Sequence, residues 1–204
     1  MLGPALVQQY PEDFSAYIGF GQAVNMRENE QYGFEKLSEI AANSENLETI
    51  KRLAPHPPAG PFDENFITQL AQVRQWQVRY GLAMGSDLRT IWRIATSPFY
   101  SLRERLAFAA LGESVLDYQA PIFRAMFDDI DVRDFGLEFE IPIFIIMGDR
   151  DYQTPHTLAR AYFEEISAPY KAFFLIEDGG HGAHHDNPAA FNRVLIEEVL
   201  PVVK

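Results

Sequence analysis

Two short apolar runs in the last third of the chain, each followed directly by a polar loop, constrain the fold more than any other feature. The runs are Ile141–Met147 (IPIFIIM) and Ala172–Ile176 (AFFLI), and their unbroken apolar character is typical of strands buried on both faces. Helical patterns at Thr157–Ile166 and Pro188–Val199 follow the two runs. This order of strand, helix, strand and helix predicts βαβ units and a parallel sheet.

A third strand is predicted much earlier, at Ser15–Gln22 (SAYIGFGQ), after a short helix at Met1–Tyr10. Helical patterns dominate between this strand and the later ones. We therefore predict an α/β fold with about three parallel strands. Residues 1–26 and 136–204 would form a partial α/β core, and residues 27–135 an inserted helical cap. The helices predicted in the cap are Tyr32–Ser44, Glu45–Leu53, Phe66–Tyr80, Ser86–Ala95, Tyr118–Phe127 and Ser101–Leu111, which opens with the capping-box pattern S-x-x-E.

The composition excludes several classes of function. The net charge of −12 repels polyanions, so we expect neither nucleic acid nor an anionic membrane as a partner. The chain has no cysteine, which excludes disulfides, thiol catalysis and cysteine-based zinc sites. No apolar run has the length of a membrane span, and the N-terminus lacks the basic region of a signal peptide. We expect a cytoplasmic protein.

The loops after the two later strands carry the candidate chemistry. They are Gly148–Pro155 (GDRDYQTP) and Glu177–Pro188 (EDGGHGAHHDNP). In open α/β sheets, ligands bind beyond the carboxyl ends of the strands, and both loops leave the sheet at that edge. One loop offers the carboxylate of Asp151 and the other the imidazole of His181. An acid that orients a histidine is the supporting half of a nucleophilic triad.

These motifs carry a family resemblance. A strand ending in G-x-x-D-x-x-x-P and a later G-G-H before a helix resemble the C-terminal triad loops of α/β-hydrolases. The segments GFGQAVNMRENE, QVRQWQVRYG and GDRDYQTP are similar to the proline iminopeptidase-like group of that superfamily. The resemblance covers essentially the whole chain and implies that Asp151 is the triad acid and His181 the triad base. It also implies that Leu2–Phe14 is the helix after the nucleophile elbow and that Gly19–Asn25 leads into the cap.

The third member of such a triad is not in the sequence. In this family the serine precedes the acid and the histidine, and neither a G-x-S-x-G elbow nor an H-G-G oxyanion loop occurs here. The resemblance implies that both lie upstream of Met1, so we expect a C-terminal part that lacks the nucleophile. Ser114, in LGESVL, is an alternative nucleophile. However, Leu116 stands where the final glycine of the motif should be, and the run falls among the cap helices.

The candidate site residues have simpler alternatives. Asp151 could cap the helix that follows it, and His181 could be an ordinary loop histidine. His184 and His185, with Asp186, could imitate a metal site, although one short loop seldom supplies all the ligands. We predict no metal and no cofactor.

Four cap residues are candidates for substrate binding: Glu28, Glu30, Trp76 and Trp92. The resemblance implies that the two glutamates could bind the amino terminus of a substrate. The alternative is a solvated helix start, whose negative charge suits the helix dipole. The two tryptophans could line a cleft or belong to the core of the cap.

Together these features predict a hydrolase of the serine type that acts on small esters or short peptides, as a carboxylesterase or an iminopeptidase-like aminopeptidase. His181 would move the proton of the nucleophile and Asp151 would orient His181. The alternative is a catalytically inactive fragment or a binding scaffold of the same fold. We also expect a homo-oligomer that covers the strand edge at Tyr17–Phe20, because an unpaired apolar edge favours association.

Overall fold

The structure is a computed structural model that carries side chains. It describes residues 1–42, 48, 64–80, 82–83, 92, 95–110 and 114–203. The helices predicted at Glu45–Leu53 and Ser86–Ala95 lie outside the described residues, apart from Glu48, Trp92 and Ala95. None of the described helices combines the length and the apolar character needed to cross a bilayer.

The described residues form one parallel sheet with helices around it. Its strands are β1 (Tyr17–Phe20), β2 (Ile143–Gly148) and β3 (Lys171–Ile176), in the order β1-β2-β3. Tyr17 pairs with Ile143, and Ile143 pairs with Lys171. The three predicted strands are thus confirmed, with boundaries shifted by one to two residues at most of their ends. The α-helices are α1 (Leu2–Gln9), α2 (Met26–Ala41), α3 (Glu64–Arg79), α4 (Leu102–Ala110), α5 (Ser114–Asp128), α6 (His156–Glu165), α7 (Ala183–Asp186) and α8 (Pro188–Arg193).

The core is built on β2, whose six residues are all buried. Side chains alternate between the faces of a strand, so β2 contributes to a separate cluster on each side. Ile143, Ile145 and Met147 pack in the larger cluster, which includes Ala159 and Tyr162 of α6. Ile146 packs on the other face with residues of β3, α7 and α8. This two-sided burial explains why the strand reads as a continuous apolar run.

Between β1 and β2 lie helices α2 to α5, which we call the helical segment. Its first helix begins at Met26 rather than at the predicted Tyr32. The reason is an N-cap: the side chain of Asn25 accepts hydrogen bonds from the N–H groups of Arg27 and Glu28, at 3.0 and 3.1 Å. Farther along, Ser101 and Glu104 exchange side-chain and backbone hydrogen bonds, as the capping-box pattern predicts.

The two ends of the helical segment meet beside the sheet. Asn25 and Asp131 form an isolated antiparallel bridge, and the N–H of Val132 donates to the carbonyl of Val24 at 3.0 Å. The Asn25 side chain also donates to the carboxylate of Asp131 at 3.1 Å. Because entry and exit are hydrogen-bonded to each other, the segment leaves the sheet and returns to it through one narrow junction.

The C-terminal helix departs from its prediction. It was expected to run unbroken from Pro188 to Val199, but α8 ends at Arg193 and the next six residues form a π-helical turn, Val194–Val199. In this turn the N–H of Leu200 donates to the carbonyl of Leu195 at 3.0 Å, a spacing of five residues. A sequence pattern of apolar positions does not distinguish this spacing from the ordinary one of four.

Candidate active site

The carboxyl ends of β2 and β3 place the two predicted catalytic residues beside each other. The strands pair in register to their last residues, Gly148 and Ile176, so the loops that follow leave the sheet together. We call residues 149–155 the acid loop and residues 177–182 the histidine loop. Asp151 lies in the first and His181 in the second.

Backbone contacts between the loops set their spacing. The N–H of Asp149 donates to the carbonyl of Ile176 at 3.1 Å, and the N–H of Arg150 donates to the carbonyl of Gly179 at 2.8 Å. A Cβ atom on Gly148 would lie 2.2 Å from the Gly179 carbonyl oxygen and 2.3 Å from that of Gly180. The loops can approach this closely only because Gly148 has no side chain.

The carboxylate of Asp151 is buried, with 1% of the residue exposed, and both of its oxygens accept hydrogen bonds. Oδ1 accepts from the N–H groups of Gln153, at 3.0 Å, and Thr154, at 2.8 Å. Oδ2 accepts from the Thr154 hydroxyl, at 2.8 Å, and lies 3.0 Å from Nδ1 of His181. A buried carboxylate is stable in such a site because its oxygens have donors.

His181 is only partly enclosed, with 23% of its side chain exposed. Its Nδ1 faces Asp151, which leaves Nε2 as the nitrogen available to a reacting group. Gly21, whose φ of 56° is in the left-handed region, approaches the ring: a Cβ there would lie 3.2 Å from Cε1 of His181. The backbone just after β1 therefore forms one wall of the imidazole site.

Asp151 does not cap the following helix, as the simpler interpretation supposed. Helix α6 begins at His156, its N-cap is Pro155, and no side chain caps it. The N–H groups that Asp151 binds belong to the turn before the helix. The carboxylate therefore orders the acid loop itself, while its other oxygen faces the histidine.

The two glutamates of the helical segment lie in different surroundings. Glu28 is exposed and pairs with Arg133 at 2.6 Å. Glu30 is buried, with 2% of the residue exposed, and pairs with Arg74 of α3. Burial raises the pKa of Glu30, and the charge and hydrogen bond of Arg74 oppose that rise. The interpretation of both glutamates as a solvated helix start is thus wrong for Glu30.

A chain of contacts connects Glu30 to the acid loop. Arg74 also donates to Gln77 at 2.8 Å, and the amide nitrogen of Gln77 lies against Gly33 of α2. A Cβ on Gly33 would lie 2.5 Å from the backbone carbonyl oxygen of Tyr152, the residue after Asp151. The Tyr152 ring packs against the apolar cluster of α2 and α3. The helical segment and the acid loop are therefore in direct contact.

The remaining candidates belong to the stretch between β1 and β2. Trp76 packs at the edge of the α2–α3 cluster, with the Arg79 guanidinium 5.1 Å from its ring centre. Trp92 is 68% exposed. Ser114 is the first residue of α5, within the helical segment.

His184, His185 and Asp186, which follow the histidine loop, make packing contacts and hydrogen bonds near it. The ring of His184 packs edge-on against Phe20 of β1, with centroids 4.8 Å apart, and lies 3.9 Å from the ring of His185. The carboxylate of Asp186 accepts the N–H of Gly180 at 2.9 Å. In the described part of the chain, no three His, Cys, Asp or Glu side chains are grouped to hold a metal ion.

Sequence reasoning missed Thr154 and Gly21 as members of this site. The pattern D-x-x-T carried a usable signal for Thr154, because an Asp commonly accepts the N–H of the residues two and three positions later. Gly21 had no comparable signal, since its contact with His181 depends on the pairing of β1 with β2.

Comparison with known proteins agrees with this architecture. No protein-family model matches the sequence. The chain is 22% identical over 195 residues to the probable aminopeptidase YbaC of Bacillus subtilis (strain 168), covering 93% of this chain and 59% of YbaC. VinJ, a solved structure, aligns with a TM-score of 0.59 at 16% identity, covering 99% of this chain and 62% of VinJ. An α/β fold family hydrolase from Bacillus anthracis str. Sterne aligns with a TM-score of 0.47 at 19% identity, covering 96% of this chain and 63% of that protein.

The chain thus shares the fold of VinJ over nearly its whole length, and the predicted α/β class with about three parallel strands is confirmed. It spans less than two thirds of the length of each of these proteins.

Proposed function

We propose that this chain supplies the general base and the orienting acid of a hydrolase that works by acyl transfer. One observation carries the proposal: Nδ1 of His181 lies 3.0 Å from Oδ2 of a buried Asp151, at the carboxyl edge of a parallel sheet. In this role Nε2 of His181 takes the proton of a nucleophilic hydroxyl and later returns it to the leaving group. Asp151 holds the imidazole and stabilises the imidazolium that forms.

The nucleophile in this proposal is a serine on a strand-to-helix turn, with an oxyanion hole of backbone N–H groups. Neither motif occurs in the 204 residues. Both would come from polypeptide that the chain does not include, as its partial coverage of longer relatives allows. Ser114 is a second source of a nucleophile, through its incomplete G-x-S motif. We further propose that the helical segment, which corresponds to the predicted insertion at residues 27–135, covers the site as a cap.

The proposed substrates are small esters and short peptides. The peptide class is favoured by one observation: Oε2 of the buried Glu30 has no hydrogen-bond partner among the described residues, so it could accept a hydrogen bond from an amino terminus. The name of the relative YbaC, a probable aminopeptidase, also supports that class. We further propose a cytoplasmic protein, on the absence of cysteine.

The test measures hydrolysis of p-nitrophenyl acetate and of alanine and proline p-nitroanilides by the chain joined to the polypeptide that supplies the nucleophile. We expect His181→Ala to lower the rate at least about a thousandfold, and Asp151→Asn by a comparable factor. His185→Ala, an exposed histidine of the same region, is the matched control and should leave the rate unchanged. Equal rates for His181→Ala and the parent would contradict the proposal. No hydrolysis by this joined parent on any of these substrates would favour the alternative of a non-catalytic fragment or scaffold.

We also propose that the edge of β1 is covered by a second copy of the chain. In the described sheet β1 stands at an edge, and Ile18 at its centre is 41% exposed. A bare apolar edge favours pairing. Light scattering at micromolar concentration should give a dimer or a larger assembly, whereas a clean monomer would contradict the idea.

A further inference from the structure

The hydroxyl of Thr154 closes a triangle with the acid and the histidine. Its Oγ1 donates to Oδ2 of Asp151 at 2.8 Å and lies 3.1 Å from Nδ1 of His181, while that Nδ1 lies 3.0 Å from the same Oδ2. Thr154 is buried, with 5% of the residue exposed. Oγ1, Oδ2 and Nδ1 therefore all lie within hydrogen-bond distance of one another. The positions of the hydrogens among these three atoms determine which tautomer of His181 is stable.

The count of hydrogens in this triangle assigns the tautomer of His181. The carboxylate of Asp151 only accepts, and the Thr154 hydroxyl has one hydrogen, which can point to Oδ2 or to Nδ1. If Nδ1 carried no hydrogen, its lone pair would face the carboxylate oxygen Oδ2 at 3.0 Å with no hydrogen between them, whichever way the hydroxyl points. With a hydrogen on Nδ1, the imidazole donates to Oδ2 and to the lone pair of Oγ1 together. Nε2 then carries the free lone pair.

Thr154 is also fixed in place independently of the histidine. Its backbone N–H donates to Oδ1 of Asp151 at 2.8 Å, so the backbone and the side chain of Thr154 each donate a hydrogen bond to one oxygen of the same carboxylate. The Gly21 backbone lies near both groups, since a Cβ on Gly21 would be 3.5 Å from Oγ1 and 3.4 Å from Nδ1 of His181. The two contacts with Asp151 therefore hold the hydroxyl in the triangle.

We propose that Thr154 is a positioning residue that keeps His181 in the Nδ1–H tautomer with its ring plane fixed. It touches no reacting atom and acts through Asp151 and His181. The catalytic meaning of this role rests on the proposed function, whereas the tautomer is a property of the folded chain alone.

The test uses the 204-residue chain with ¹⁵N-labelled histidine, whose two ring nitrogens give distinct NMR signals in each tautomer. We expect the parent to be mainly Nδ1–H and the Nδ1 proton to exchange slowly with water. Thr154→Val keeps the shape and removes the hydroxyl, so it should speed that exchange about fivefold, the effect of one hydrogen bond. Thr154→Ser should restore the behaviour of the parent.

Thr157→Val, an exposed threonine at the start of α6, is the matched control and should change neither signal. If Thr154→Val does not fold, Thr154→Ala carries the same test without added bulk. Exchange equal to that of the parent in the hydroxyl-free variant, or a parent that is mainly Nε2–H, would overturn the proposal. Slow exchange that depends on Thr154, with no hydrolysis by the chain joined to the polypeptide that supplies the nucleophile, would uphold the positioning role and count against the proposed function alone.

Discussion

Two regions of the molecule are stabilised by different kinds of contact: the pair of loops at the carboxyl edge of the sheet, and the helical segment. In the loops, backbone contacts backbone: Gly148 meets the histidine loop with no side chain between them, and N–H groups of the acid loop donate to carbonyls across the gap. In the helical segment, arginines reach carboxylates that are distant in sequence, as in the pairs Arg27–Asp128 and Arg74–Glu30.

This difference indicates which of the two regions keeps its geometry more constant. A spacing set by backbone atoms changes little when surface side chains are replaced, so it suits a pair that must stay at hydrogen-bond distance. Contacts made by long side chains cost conformational entropy and depend on each residue involved. We therefore expect the sheet with its loops to be the more cooperative unit and the helical segment to open more readily.

The largest effect should come from two matched truncations that compare the units directly. Ile145 in β2 and Leu37 in α2 are both fully buried, each in the core cluster of its own region. Ile145→Ala should lower the free energy of unfolding of the whole chain by about 4 kcal/mol, because it leaves a cavity in the central strand. Leu37→Ala should lower mainly the local stability of α2 and α3.

Amide hydrogen exchange measures this contrast. In the Leu37→Ala variant, exchange should accelerate in the helical segment while β2 and β3 stay protected as in the parent. Equal acceleration in β2 and in α2 would contradict the comparison, since it would mean that the two regions unfold as one unit.

A somewhat smaller effect is expected from a methyl group at the crossing of the loops. Gly148→Ala places a Cβ against two backbone carbonyls that cannot move as a side chain would, and should cost about 3 kcal/mol of unfolding free energy. Gly180→Ala is the control from the opposite loop, because the nearest atom to its Cβ, an Asp186 carboxylate oxygen, is 3.4 Å away. Urea unfolding of both variants gives the comparison. Similar midpoints for the two variants would show that the loops are not spaced by this backbone contact.

The smallest of the three effects concerns the junction of the helical segment and appears in acid. A hydrogen bond from Arg133 is the main reason that the pKa of Asp131 falls from 3.8 to about 2. A carboxyl whose pKa is lower in the folded state stabilises the fold above its unfolded pKa, and this contribution is lost as the pH falls from 3.8 toward 2. The difference in unfolding free energy between the parent and Asp131→Asn should therefore shrink over that range. Exposed Asp134→Asn is the control. A difference that is constant with pH would refute the prediction.

Local sequence patterns predicted the strands, the loops and the acid–histidine pair. The apolar run of β2 and the motif around Asp151 are each contained in a few consecutive residues, so they can be read without knowing the rest of the fold. The start of α2 at Met26, directly after its N-cap Asn25, was missed because apolar periodicity in that stretch begins later than the cap.

Long-range contacts could not be predicted in the same way. The alternative of a solvated Glu30 failed because nothing near Glu30 in sequence indicates its partner Arg74, which is 44 residues away. The place of Gly21 beside His181 depends on strand pairing, and that of Thr154 on a loop turn whose pattern was visible but not used.

The junction of Asn25 with Asp131 makes the intervening stretch modular. Because its two ends are hydrogen-bonded neighbours, a longer, shorter or foreign insert could be grafted between them with little change in the entropy of closing the chain, which grows only slowly with length. The sheet with Asp151 and His181 would then stay constant, and the insert would be the part that divergence or engineering can exchange.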